Sequence, residues 1–326
     1  MQRTTTTTTG DASTTIGSEI IAAELATPRR KRKASGRPPW MEEPSRMMTV
    51  LKALTLAFIV IVMIFPFLNV LAVSLSSYED ILGGGLILFP MNPTLDAYRT
   101  LFNGDIVVRA LQVSAGLTIF GTLAQMFFTT TLAWGLSRPN VPGSRFVLIM
   151  VLMAMLIWPG MIPMFLLIKE LGMLNSYPAL IVPGLVSSFN LIIVRQFFMN
   201  LPQDLIDSAK LDGATEFQVF RTIALPLSKA VLAVIGLFYA VGIWNSWFNA
   251  LLYISDTEKW PIQLVLRQYV LMGANVSAAD FNQAVPLPPQ SLQMAIVVVA
   301  TVPILLVYPF LQRYFTQGVL SGAIKG

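Results

Sequence analysis

Six stretches of this chain are long and apolar enough to cross a bilayer, and no other sequence feature limits the fold as strongly. They run from Leu51 to Ser74, Leu111 to Leu136, Phe146 to Ile168, Ala179 to Phe198, Ala230 to Ile254 and Leu292 to Tyr314. A hydrocarbon core of about 30 Å takes about 20 helical residues, so each stretch has the reach of one transmembrane helix. Each is apolar all round rather than striped, and each is bounded by Pro, Asn, Asp or basic residues, while the alternation of barrel strands is absent. The expected fold is therefore all-α and integral to a membrane, with six transmembrane helices. The composition agrees: 55% of the 326 residues are hydrophobic and only 12% are charged, against about 25% charged for a soluble domain.

The basic residues orient these helices. With a cytoplasmic N-terminus, seventeen Lys and Arg fall on inner segments and five (Arg99, Arg109, Lys169, Lys259 and Arg267) on outer ones, which by the positive-inside rule puts both termini in the cytoplasm. Residues 1–48 read as a disordered basic cytoplasmic tail, with a Thr run from Thr4 to Thr9, the cluster Arg29 to Lys33, and Pro38 and Pro39. The cluster suits anionic lipid head groups. Residues 49–326 hold all six spans. Two outer segments, Leu75 to Ala110 and Ser255 to Ser291, are long, acidic and aromatic enough to dock something from outside.

Several functions are excluded or disfavoured by what is missing. Without Cys or His the chain has no thiolate or imidazole metal site, no Cys nucleophile and no Ser-His-Asp chemistry, so no metal, cofactor or catalytic residue is expected. No Asp or Glu lies inside a span, which counts against ion-coupled secondary transport and a charged-ring channel. The phosphate-loop pattern G-x-x-x-x-G-K-[ST] is also absent, so a separate subunit must supply any ATP-derived energy.

Between the fourth and fifth stretches lies a polar loop from Asn200 to Pro226. Pro202 and Asp204 suit the first turn of a short helix, and Gly213 suits the left-handed residue that closes it. Thr215 caps a second helix with Glu216 in its first turn; Phe217, Phe220 and Ile223 recur at three-residue spacing, and Leu225 before Pro226 marks the stop. A helix, Gly turn, helix unit at the membrane face is expected. Phe217 and Phe220 pack either against their own spans or against a partner, since one face of a short surface helix must bury them.

This loop resembles the EAA motif of binding-protein-dependent ABC importer permeases, which reads Glu-Ala-Ala, two variable residues, Asp-Gly-Ala, then a Phe, an aliphatic residue and Leu-Pro. Here the matching residues are Asp207-Ser208-Ala209, Asp212-Gly213-Ala214, Phe220, Ile223, Leu225 and Pro226, with Asp207 for Glu and Ser208 for Ala as departures. Further stretches are similar to the carbohydrate-uptake branch of the maltose permease type: Phe89 to Tyr98, Leu136 to Pro139 with Pro142-Gly143, Trp244-Asn245, and Gln312 to Gly318. The ending is similar to permeases for complex oligosaccharides. The resemblance implies a type I ABC importer permease fold in a bacterial cytoplasmic membrane. It also implies as partners a cytoplasmic ATPase dimer carrying ATP and magnesium, a second homologous permease, an extracytoplasmic solute-binding protein and a sugar substrate. Nucleic acid is not among them. In that family the loop is the coupling helix, so ATPase coupling is expected at Asp207, Ala209, Asp212, Gly213, Ala214, Phe217, Phe220 and Pro226.

Sugars are held by amide hydrogen bonds and aromatic faces, which makes Asn190, Trp244, Asn245, Trp247 and Asn249 candidates for the substrate pathway. Interhelical bonding by Asn and interfacial anchoring by Trp are the competing explanation. Permeases for peptides, amino acids or phosphate, and a stand-alone secondary transporter, remain the alternatives.

Overall fold

The computed structural model describes residues 45–139, 141–157, 159–270 and 288–323; residues 1–44 and 271–287, which hold most of the expected tail and half of the second outer segment, lie outside that range. Two compact units divide between Ile61 and Val62. The division falls within α1 (Arg46–Ser74), a helix of 29 residues that continues through Pro66.

In the second unit the chain continues through α2 (Tyr78–Leu82) and α3 (Asp96–Asn103) to α4 (Asp105–Ser137). Among the described residues there is no strand, only an isolated bridge between Ser76 and Pro93. With 33 residues, α4 is about 50 Å long and exceeds the hydrocarbon thickness. Its buried residues Val107, Ala110, Ser114, Leu117, Gly121, Gln125, Thr129 and Ala133 recur every three or four positions along one face. That face is mostly small or polar, whereas Ile119, Phe120, Leu123, Phe127 and Phe128 are exposed on the other. Close approach and interhelical hydrogen bonds hold helices together in lipid, so the large side chains are left to face outward. Gly121 illustrates the approach: a Cβ there would stand 2.7 Å from Ile243 Cδ1.

Each remaining apolar stretch falls on a helix or a broken pair of helices. The third is α5 (Ser144–Leu156) followed by α6 (Met161–Glu170). Pro159 cannot continue a helix, and Gly160 adopts φ 90°, where a side chain would be strained. The 13 residues of α5 reach only about 20 Å. The fourth comprises α7 (Pro178–Ile181), a 3₁₀ turn (Val182–Gly184) and α8 (Ser188–Met199), bent by 50°. After α9 (Gln203–Leu211) and α10 (Glu216–Val219), a π turn (Phe220–Ala224) and α11 (Leu225–Leu227) meet α12 (Lys229–Trp244) at 83°. The chain then forms α13 (Phe248–Tyr253), a 3₁₀ turn (Thr257–Lys259), α14 (Ile262–Val270) and α15 (Pro289–Ala323). Pro303 and Pro309 leave α15 one helix. Among the described residues, three helices are long and apolar enough to cross a membrane unbroken, rising to five if each bent pair is one span.

Among the described residues, a small buried cluster of Ile168, Ala179 and Tyr253 accompanies two larger ones, both of which involve α4. Val107 and Ala110 of α4 pack with Ile262 and Val265 of α14 and Leu292 and Ile296 of α15. At the other end of α4, Ala133, Trp134 and Leu136 pack with Leu191, Val194 and Phe198 of α8, Ile206 of α9, and Val219, Phe220 and Ala224. The α4 helix thus joins the loop between α8 and α12 to the cluster of α14 and α15.

Candidate functional site

The loop from Asn200 to Pro226 folds as a helix, a left-handed glycine and a second helix. Pro202 stands at the N-cap of α9 and Asp212 at its C-cap, and Gly213 follows with φ 87°. The Ala214 N–H closes the turn by donating to the Ala209 carbonyl at 2.9 Å. Thr215 forms a full capping box: its Oγ1 accepts the Gln218 N–H (3.3 Å), and Gln218 Oε1 accepts the Thr215 N–H (2.7 Å). Lys210 and Glu216 pair across the turn at 2.6 Å.

In two respects this segment departs from the sequence expectation. Pro226 does not stop the helix, because the helical run continues to Leu227. The preceding turn is π-type, with the Leu225 N–H donating to the Phe220 carbonyl five residues back. Such a widened turn eases the clash that a proline ring makes with the carbonyl four residues before it. Secondly, the three aromatic and aliphatic residues do not share a face. Steps of three fall short of the 3.6-residue turn, so the inward stripe is instead Val219, Phe220, Ile223 and Ala224. Phe220, only 8% exposed, packs on Trp134 (5.6 Å between ring centroids) and Phe198 (6.2 Å), while Phe217 is 69% exposed. Asp207 and Asp212 are exposed, and Ala209 and Ala214 are half-buried against the core.

Arg138 completes this end. Its guanidinium lies 3.9 Å over the Trp134 ring, and Nη2 donates to the Phe198 carbonyl at 3.4 Å. Burial lowers its pKa from the usual arginine value, and the charge of Glu216 works the other way. Arg195 Nε donates to the Leu136 carbonyl at 2.9 Å.

About 22 Å away along α12, the far end of that helix borders a cavity of about 340 Å³ lined by Gln125, Tyr239, Ser246, Phe248, Asn249 and Tyr253 among others. Gln125 Nε2 donates to the Gly184 carbonyl (2.8 Å), but its Oε1 is buried with no hydrogen-bond partner. Tyr239 Oη is shared with Thr129 Oγ1 at 2.7 Å and accepts the Ser187 N–H at 3.1 Å, which braces the bend before α8. The lining contains no charged side chain. Amide, hydroxyl and aromatic groups around a space at the small end of ligand cavities suit one segment of a polyhydroxylated chain.

Of the candidates named from sequence, only Asn249 lines this cavity. Trp244 is packed in the core, its Nε1 donating to the Ala300 carbonyl at 3.1 Å. Asn245 caps α12, and Asn190 is buried in the first turn of α8. Trp247 lies between the cavity residues Ser246 and Phe248 and carries the Arg267 guanidinium at 3.7 Å. Sequence reasoning missed Gln125; the one signal for it was an amide in the middle of an apolar stretch.

The sequence pattern of the binding-protein-dependent transport system inner membrane component family matches residues 126–321. The polygalacturonan/rhamnogalacturonan transport system permease protein YtcP of Bacillus subtilis (strain 168) is 43% identical over 268 residues, covering 82% of this chain and 94% of that one. Protein LplC of the same organism is 45% identical over 283 residues, covering 86% and 96%. Among solved structures, a bacterial ABC transporter involved in the import of the acidic polysaccharide alginate matches with TM-score 0.79 at 26% identity, over 85% of this chain and 100% of that one. With well over half its length inside the family pattern and such identity along most of it, the chain belongs to the binding-protein-dependent transport system inner membrane components, the non-enzymatic permease subunits of ABC importers.

Proposed function

We propose that this chain, paired with a second homologous permease, moves an oligosaccharide across the bacterial cytoplasmic membrane by alternating access. A solute-binding protein delivers the sugar from outside, and a cytoplasmic ATPase dimer drives the cycle. Residues 49–326 form the six-span permease domain and residues 1–48 a basic cytoplasmic tail; both termini are cytoplasmic. Broken pairs count as single spans in this reading, since non-helical backbone at membrane depth is tolerated where protein buries it. Family membership leaves no place for a stand-alone secondary transporter, and the permease for polygalacturonan and rhamnogalacturonan among the relatives favours saccharides over peptides or amino acids.

One observation carries the coupling role: the exposed Phe217 beside the buried Phe220, on a loop locked by Gly213 and a capping box. An ATPase shifts the permease between inward and outward states only by its differential affinity for them, so what it grips must be rigid. Phe217, Asp207 and Asp212 meet the ATPase in this reading. Ala209, Gly213, Ala214, Phe220 and Pro226 hold the shape of the loop. Asn249 and the cavity around it contact the sugar; Trp247 borders that site, while Asn190, Trp244 and Asn245 serve packing. Gly213→Asp is the direct test, measured as uptake in reconstituted vesicles with insertion checked separately. Open space surrounds the position of the new Cβ, so the effect comes from an L residue at φ 87° and from added charge at the contact. Uptake is expected to be abolished with insertion intact, and normal uptake by a normally inserted variant would refute the coupling assignment.

A further inference from the structure

Three of the five basic residues on the segments read as outer are matched by carboxylates. Arg99 pairs with Asp96 (3.5 Å), Arg109 with Glu258 (3.1 Å) and Lys259 with Asp256 (3.3 Å). Lys169 is exposed and solvated near the end of α6. Arg267 is different. It is half-buried on α14 and has no carboxylate partner among the described residues. Its guanidinium carbon stands 3.7 Å over the Trp247 ring, and its Nε is buried without a hydrogen bond. Trp247 is steadied in turn by Phe248, edge to face at 5.3 Å and 78°.

A cation partly withdrawn from water with no counter-charge is costly, and an aromatic face offsets only part of that cost. What remains on offer is the end-on fork of the two terminal nitrogens, held in one plane by the ring beneath. Such a fork matches the spacing of carboxylate oxygens and loses little entropy on binding one. The neighbouring cavity, bordered by Ser246 and Phe248 on either side of Trp247, is uncharged. It suits the hydroxyls of a sugar ring and supplies nothing for an acid group.

We propose that Arg267, laid flat on Trp247, receives the carboxylate of an acidic sugar, so that the transported oligosaccharide bears uronate groups. This rests on the saccharide reading above and adds its charge. The test uses the full transporter, assembled with its ATPase, second permease and binding protein in proteoliposomes. The probes are tetragalacturonate and its fully methyl-esterified, neutral form. R267Q is expected to raise the KM for tetragalacturonate about tenfold, the scale of a charge-assisted hydrogen bond, and to leave sugar-independent ATP hydrolysis unchanged. R267K keeps the charge and loses the planar fork, so it is expected to raise KM by about threefold. It decides the matter if R267Q does not assemble. An unchanged KM in the variant that assembles overturns the proposal. So does a wild type that takes up the ester and refuses the acid, which leaves the saccharide reading standing; uptake of neither probe by an assembly that hydrolyses ATP removes both.

Discussion

The two ends of α4 each pack into a buried cluster, but they hold their cations in different ways. At the Arg138 end, Trp134 is enclosed by Phe198 and Phe220, and the nearby cations Arg138 and Arg195 donate to backbone carbonyls rather than to carboxylates. At the Asp105 end, Arg109 reaches across to Glu258, whose side chain is 72% exposed. Exposed pairs of this kind contribute about 0–1 kcal/mol and weaken with salt. Packed rings and carbonyl-anchored guanidinium groups have one geometry and lose it only by opening the core. The loop end is therefore built to transmit displacement; the Asp105 end has a buried core of its own around Val107, Ile262 and Ile296, and at its surface lie exposed ion pairs that break and reform readily.

The strongest test of this contrast compares Trp134→Ala with Phe217→Ala. Removing the buried indole leaves a void between α4, α8 and the loop and is expected to cost about 3–5 kcal/mol, seen as an earlier thermal unfolding transition of the purified protein. Phe217 is exposed and makes no part of the core, so its truncation is expected to change stability by less than about 0.5 kcal/mol while uptake falls and ATP hydrolysis by the assembly loses its dependence on sugar. If Phe217→Ala destabilised the isolated chain as Trp134→Ala does, the division into buried brace and exposed contact would fail.

Next in size is Gly121→Leu, midway along α4. A Cβ alone would meet Ile243 Cδ1 at 2.7 Å, and the larger side chain is expected to force α4 from α12 at about 1–3 kcal/mol. Unfolding should respond about equally at both ends of α4, because the helix joins the two cores. A smaller effect is expected from Asn249→Ala, which removes one neutral amide from the cavity: a rise in sugar KM of about twofold to tenfold with unchanged unfolding.

How much of this was written in the sequence depends on the range of the signal. The loop from Asn200 to Pro226 was legible since caps, the left-handed glycine and motif spacing are local: Gly213 and Thr215 occupy the conformations their chemistry suggests. The π turn was not, because Leu225 before Pro226 reads as a stop, whereas the widened turn lets the helical run pass through the proline. Apolar stretches marked where helices run but not which face turns inward. In lipid the outward face is as apolar as any core, and the inward one is recognised by its small and polar residues, here Ser114, Gly121, Gln125 and Thr129. The same blurring made Trp244, a core residue, resemble a sugar platform.

The smallest expected effect probes the loose end. Asp80, in the segment after α1, accepts the Asn92 N–H at 2.9 Å and the Asn92 side-chain amide at 3.3 Å, and so ties the loop beside the Ser76 to Pro93 bridge. The backbone bond from Asn92, the largest cause, holds its carboxyl below the ordinary 3.8. Because the folded value lies below the unfolded one, the tie is in force above about pH 4 and weakens as the pH falls through the lowered value. Protection of the Asn92 amide against hydrogen exchange is therefore expected to drop between pH 6 and pH 3. In Asp80→Asn, which has no carboxylate to protonate, protection should be lower at pH 6 and nearly flat with pH. Global unfolding should not move in either case, since the group is partly exposed and is no part of the Trp134 cluster. A steep pH dependence surviving in Asp80→Asn would mean that this segment is held by something other than this carboxylate, and the contrast between a rigid and a reformable end would have to be drawn elsewhere.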